Sequence, residues 1–123
     1  MPDATTPLAT LKDAVRDFAA ERDWQQFHSP KNLVMGLAVE AAELMEHFLW
    51  MDVDASRQVA SDPAQLAEVA DEIADVANYL LNLSIVLGID LSEAIVRKIA
   101  KNAEKYPAEK YRGRWTKPES TSH

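Results

Sequence analysis

Residues 63–87 read PAQLAEVADEIADVANYLLNLSIVL, and this stretch decides the fold. Its apolar residues recur at helical spacing, and Asp62-Pro63 places a capping residue before a proline suited to a first helical turn. Gly88 is suited to end the helix. The stretch therefore predicts a helix over 63–87 with an apolar stripe made of Leu66, Val69, Ile73, Val76 and Leu80.

Similar signals predict three more helices. Thr6-Pro7 and Ser29-Pro30 repeat the start signal, and Pro107 stops a helix that begins after Asp90. No stretch alternates between apolar and polar residues as a strand does. The additional helices are predicted at about 7–22, 30–51 and 91–105.

These helices indicate an all-α fold, and a four-helix bundle is the simplest arrangement for them. The 123 residues are enough for one compact domain with a hydrophobic core. We predict a single domain over residues 1–107, followed by an irregular C-terminal tail over residues 108–123.

Composition excludes several classes of protein. With 13 Lys and Arg against 20 Asp and Glu, the net charge is −7, so a binder of nucleic acid polymers is not expected. The absence of cysteine excludes disulfides and thiolate metal sites. No run of about 18 apolar residues predicts a membrane span, and the first ten residues lack signal-peptide character. We therefore expect a cytoplasmic protein without a membrane partner.

Two pairs of carboxylates stand beside the apolar stripes of the second and third predicted helices. Glu40-Ala-Ala-Glu43 lies in one helix and Glu72-Ile-Ala-Asp75 in the other. Residues three apart share a helix face, and an antiparallel packing of the two helices would bring all four carboxylates together.

Four carboxylates in one place repel one another unless a cation lies between them. Mg²⁺ and Mn²⁺ prefer oxygen ligands, so this set predicts a metal-assisted phosphate site. The plain alternative is a set of solvated glutamates, which commonly line exposed helix faces. A ferritin-like di-iron site is excluded, because it needs Glu-x-x-His on two helices and neither His28 nor His47 follows a glutamate at that spacing.

Longer strings extend the pattern beyond the carboxylates. With them, the chain resembles the all-α nucleoside triphosphate pyrophosphatases, the MazG-like superfamily, whose mark is E-x-x-E followed after an interval by E-x-x-D. The closest resemblance is to the dCTP pyrophosphatase branch, over about residues 10–107. The similar strings are FAAERDWQQFHSPKNL at 18–33, EAAELMEHFLW at 40–50, DEIADVANYL at 71–80 and KIAKNAEKYP at 98–107.

The resemblance implies a Mg²⁺-dependent hydrolase, with Mn²⁺ as a possible substitute. It would convert a deoxynucleoside triphosphate, dCTP or a related one, to the monophosphate and pyrophosphate. It also implies a homo-oligomer, a dimer or tetramer, with sites built at subunit contacts.

The resemblance also assigns residues. Glu40, Glu43, Glu72 and Asp75 would hold the metal, and one glutamate is a candidate general base. Lys98 and Asn102 would contact the nucleotide, with Lys105 as a further phosphate contact. Aromatic rings stack on bases, which makes Trp24, His28 and Trp50 candidates for the base pocket and Tyr79 a candidate for the sugar.

Two other functions compete with this hypothesis. The same acidic and aromatic residues would suit a non-catalytic nucleotide-binding or helical interaction module. A related enzyme acting on phosphoribosyl-ATP shares the superfamily, but the string from Trp24 to His28 favours the dCTP branch over it.

Overall fold

The computed structural model describes residues 1–115, and its regular structure there is entirely helical. The all-α prediction is confirmed, with six helices in the described residues rather than four. The helices are α1 (Leu8–Glu21), α2 (Pro30–Glu46), α3 (Val53–Arg57), α4 (Pro63–Leu87), α5 (Leu91–Lys105) and α6 (Ala108–Tyr111), with 3₁₀ turns at Asp3–Thr5, Gln25–Phe27 and Val59–Ser61.

The ends of α4 follow from its flanking residues. The Asp62 carboxylate accepts hydrogen bonds from the backbone N–H groups of Ala64 and Gln65, at 3.1 and 3.2 Å. Gly88 ends the helix with a φ of 66°, in the left-handed region that glycine adopts without strain. The Asp90 carboxylate then accepts from the N–H of Glu93 at 2.9 Å and caps α5.

Two predicted boundaries were wrong. The second helix ends at Glu46 instead of near residue 51, and the following loop contains the short α3. The tail, predicted as irregular from residue 108, begins with α6. Residues 116–123 of that predicted tail lie outside the described residues.

The chain divides into two compact units, and the first, Met1–Ile89, contains three of the long helices. Within it α4 is central, because α1, α2 and the Val59–Ser61 turn all pack against it. The second unit begins at Asp90 and contains α5 and α6. The single domain over 1–107 stays a prediction. The buried apolar residues are Ala19, Leu33, Val59, Val69 and Leu81.

The apolar stripe of α4 is only partly buried. Val69 lies in the core, whereas every seventh residue from Leu66 onward keeps between 42% and 53% of its surface exposed. Positions seven apart lie on one helix face. One face of α4 is thus apolar and uncovered in the single chain, at Leu66, Ile73, Leu80 and Leu87.

Among the described residues, no single helix is long and apolar enough to cross a membrane. One bent pair of helices meets that test, by length and composition only.

Candidate active site

The site lies where α2 and α4 face each other in antiparallel register. Each step of three or four residues along α2 is matched by an equal step backwards along α4. At four successive levels, a residue of α2 or of the turn after it contacts a residue of α4 or interacts with it electrostatically. These pairs are Gly36 with Tyr79, Glu40 with Asp75, Glu43 with Glu72, and His47 with Glu68.

The middle levels bring the predicted carboxylates together. Glu40, Glu43 and Glu72 each offer an oxygen within 4.8 Å of the others. Oε2 of Glu40 and Oε2 of Glu72 are buried and have no hydrogen-bond partner. A buried carboxylate oxygen without a partner is costly, and a bound cation would satisfy both oxygens. The donor set therefore fits a hard divalent cation such as Mg²⁺ or Mn²⁺.

The electrostatics of Glu40 show the same crowding. Burial raises its pKa above the ordinary value of 4.5. A hydrogen bond with Glu43 and the negative charges of Glu43, Asp75 and Glu72 raise the pKa further. Without a cation, the folded chain thus binds the Glu40 proton more tightly than the unfolded chain does.

This shift predicts how stability depends on pH in the metal-free protein. Above about pH 4.5 the unfolded chain ionises Glu40 more readily than the folded chain, so the free energy of unfolding falls as pH rises through the raised pKa. Glutamine does not ionise, so Glu40→Gln should remove the part of this decrease in unfolding free energy that Glu40 causes. Urea unfolding with a chelator, from about pH 4 to about pH 8, tests the expectation. Equal pH slopes in the two proteins would contradict it.

Asp75, the fourth predicted ligand, lies at the edge of this cluster. It is exposed and is not among the three carboxylates within 4.8 Å of one another. Its charge nevertheless raises the pKa of Glu40, and both residues line the same cavity of about 700 Å³. These two carboxylates therefore open onto a space large enough for a small-molecule ligand.

Two predicted base-pocket residues and the predicted sugar contact line this cavity as well. Trp24, His28 and Tyr79 border it, and all three also border a second cavity of about 270 Å³. Tyr79 reaches its position because Gly36 has no side chain, since a Cβ there would lie 2.7 Å from the Tyr79 Cζ. The three rings, Glu40 and Asp75 thus border the same cavity of the first unit.

Two hydrogen bonds at the start of α2 hold the segment just before the helix, which carries Phe27 and His28. The Ser29 hydroxyl oxygen accepts from the N–H of Asn32 at 3.1 Å. The Asn32 side chain donates to the carbonyl oxygen of Phe27 at 3.0 Å. Phe27 and Asn32 line the smaller cavity, so the cap also shapes its wall.

His47 lies at the other end of the cluster, on the turn after α2. Its Nε2 is 3.8 Å from an oxygen of Glu72, and its Nδ1 is 3.9 Å from an oxygen of Glu68. This position suits a residue that supports the carboxylates rather than one that binds the metal, as the preference of Mg²⁺ for oxygen also indicates.

The remaining predicted residues are Trp50 in the first unit and three residues in the second. Trp50 lines neither cavity and is 92% exposed. Its predicted place in the pocket stays a prediction. The other candidates are exposed on α5, in the second unit, and are Lys98, Asn102 and Lys105.

Several cavity residues were not singled out from the sequence. Asn78 and Asn82 follow Asp75 along α4 at helical spacing and line the larger cavity with it. Their spacing was a usable signal, because residues three and four apart share a helix face. The opposite wall comes from α1, through Leu11, Ala14, Val15 and Phe18.

The chain is similar to several known proteins. A model of the MazG-like family matches residues 36–117. The chain is 38% identical to dCTP pyrophosphatase 1 of Rattus norvegicus over 115 residues, covering 91% of this chain and 68% of the rat protein. For dCTP pyrophosphatase 1 of Homo sapiens the identity is 39% over 106 residues, covering 84% of this chain and 62% of the human protein.

A solved structure is also similar. A pyrophosphatase from Archaeoglobus fulgidus matches with a TM-score of 0.75 and 42% identity, over 81% of this chain and 92% of that one. An all-α chain with this carboxylate cluster beside an aromatic cavity has the features of the all-α nucleoside triphosphate pyrophosphatases. The chain belongs to the MazG-like family.

Proposed function

We propose that the chain hydrolyses a deoxynucleoside triphosphate, dCTP or a related one, to the monophosphate and pyrophosphate, with Mg²⁺ as cofactor. The observation that carries the proposal is the shared cavity. Glu40 and Asp75 line it on one side, and Trp24, His28 and Tyr79 provide aromatic surface around it. A nucleotide has the matching two ends, a polyphosphate that requires a cation and a base that stacks on rings.

In this reaction the oxygen of water bonds to the α-phosphorus, and the bond from that phosphorus to the α–β bridging oxygen breaks. Glu40, Glu43, Glu72 and Asp75 would hold Mg²⁺, or Mn²⁺ in its place. A bound divalent ion supplies charge neutralisation at the phosphate oxygens and helps to activate water. One of the carboxylates would accept the proton of the attacking water, as a general base.

The aromatic residues would hold the base, and Tyr79, one turn from Asp75, would contact the sugar. On α5, Lys98, Asn102 and Lys105 would contact the phosphates and the nucleotide, as the family resemblance implies. The preference for dCTP rests on that resemblance and on the name of the mammalian relatives. Such an enzyme would act in the housekeeping of the cytoplasmic nucleotide pool.

A panel of deoxynucleoside triphosphates, incubated with Mg²⁺ and separately with Mn²⁺, tests the reaction and the preference together. We expect monophosphate and pyrophosphate in equal amounts, with dCTP or a modified dCTP among the best substrates. Release of orthophosphate would show a different cleavage site. Tight nucleotide binding without turnover under either metal would indicate a non-catalytic binding module.

We also propose that the chain forms a homo-oligomer, a dimer or a tetramer. The support is the uncovered apolar face of α4, where Leu66, Ile73 and Leu80 repeat at seven-residue intervals. Side chains at such spacing pack against a second helix as in a coiled coil. Sedimentation equilibrium should give a multiple of 13.7 kDa, and a monomer mass would contradict the proposal.

A further inference from the structure

The turn that joins α1 to α2 has an unusual residue at its tightest point. The N–H of Trp24 donates to the carbonyl oxygen of Ala19 at 2.9 Å, and the N–H of Asp23 donates to that of Ala20 at 3.1 Å. This pair of bonds is a Schellman motif, which needs a left-handed residue just after the helix. Asp23 fills that position with a φ of 53°.

Glycine is the usual residue at such a position, because the left-handed conformation costs other residues energy. Among the described residues, Asp23 is the only non-glycine residue with a positive φ. An explanation for the aspartate therefore has to come from its side chain.

That side chain is bonded to the next turn. Nε2 of Gln26 donates to the Asp23 carboxylate at 3.0 Å and to the Asp23 carbonyl oxygen at 3.0 Å. Gln26 lies in the Gln25–Phe27 turn, which leads directly to His28. The two bonds form a clamp between the end of α1 and the turn before α2, which we call the Asp23–Gln26 clamp.

Two cavity residues are adjacent to the clamp, Trp24 between its two members and His28 just after it. Trp24 follows Asp23 and packs edge to face on Phe18, with ring centroids 5.7 Å apart. His28 lies two residues after Gln26. Trp24 and His28 line both cavities, whereas Asp23 and Gln26 line neither.

We propose that the Asp23–Gln26 clamp is a pair of positioning residues that fixes Trp24 and His28 at the spacing needed to hold the nucleotide base. The inference rests on the proposed function. A glycine at position 23 would serve the backbone as well or better, so what the carboxylate adds is its bond to Gln26.

Substitutions at position 23 separate the two roles. Asp23→Gly keeps the left-handed backbone and removes the acceptor, so thermal stability should stay level or rise while KM rises about three- to tenfold, the value of one hydrogen bond. The kcat should change much less, because substrate and transition state lose the same contact. Asp23→Asn adopts the same backbone and keeps an acceptor oxygen, so its KM should stay close to that of the unmodified chain.

Gln26→Met removes the donor of both bonds at similar side-chain length, whereas Asp23→Gly removes only the bond to the carboxylate, so Gln26→Met should raise KM at least as much as Asp23→Gly does. Adding Asp23→Gly to Gln26→Met should raise KM no further. Gln25→Met is the matched control on the same turn, since Gln25 is exposed, lines neither cavity and makes no side-chain hydrogen bond in the described residues. An unchanged KM in Asp23→Gly, or an equal rise in Asp23→Asn, would overturn the inference.

Failure of the proposed function has a different signature. If the unmodified chain hydrolyses no nucleoside triphosphate, that function fails, and the same variants are then compared by the Kd of dCTP measured calorimetrically. The clamp predicts the same order of affinities in that measurement. Equal Kd values across the series would overturn it.

Discussion

Glu43→Gln is expected to lower kcat by about a thousandfold, which equals about 4 kcal/mol of transition-state stabilisation. The Glu43 oxygen lies within 4.8 Å of ligand oxygens from Glu40 and Glu72, so the substitution removes one charge from the set that would hold the cation. Glutamine has nearly the same shape and a similar helix propensity, so α2 should fold as before. Steady-state turnover with Mg²⁺ and circular dichroism measure the two effects.

Glu46→Gln provides the matched control. It is the same substitution three residues further along α2, at an exposed residue outside the carboxylate cluster. Its turnover should stay within about twofold of the unmodified chain, as for a surface substitution of small energetic effect. Comparable losses in both variants would mean that general charge, and not the cluster, governs the rate.

Leu33→Ala is expected to lower the free energy of unfolding by about 3 kcal/mol, because it removes a buried side chain and leaves a cavity. Leu33 is 2% exposed, in the first turns of α2, and it also lines the 270 Å³ cavity. The enlarged cavity should weaken nucleotide binding as well. Urea unfolding at one fixed protein concentration measures the stability loss.

Leu49→Ala is the comparison for this result, because Leu49 lies just beyond α2 and is 52% exposed. We expect a loss below about 1 kcal/mol there, in proportion to the smaller area removed from water. If the two variants lost the same stability, Leu33 would not be the core residue that its burial indicates.

Helix bounds could be predicted wherever local chemistry marks both ends. The predicted limits of α4 and α5 match the structure because Asp62-Pro63, Gly88, Asp90 and Pro107 each act through a cap or a blocked hydrogen bond. The end of α2 carries no glycine or proline, and Phe48 continues the apolar stripe past it. The predicted helix therefore ran on to residue 51, and Trp50 was placed in a helical context that it does not have.

The candidate site was predictable to the extent that it depends on helical periodicity. Two carboxylate pairs on facing helices follow from spacing alone, and the structure brings Glu40, Glu43 and Glu72 together. The turn before α2 was not predictable, because aspartate is far more common outside the left-handed region and its presence alone does not indicate the conformation that Asp23 adopts. Nor does periodicity distinguish a core stripe from one that stays uncovered, as at Ile73.

The pairing of facing residues along α2 and α4 also determines where the chain tolerates insertions and deletions. One residue inserted between Glu40 and Glu43 would turn the rest of α2 by about 100° and point the later glutamate away from α4. One residue inserted between 52 and 58, before the Val59–Ser61 turn that packs against α4, would leave every facing pair unchanged. Insertions and deletions should therefore accumulate in the connection, while the three-residue spacing within each carboxylate pair stays fixed.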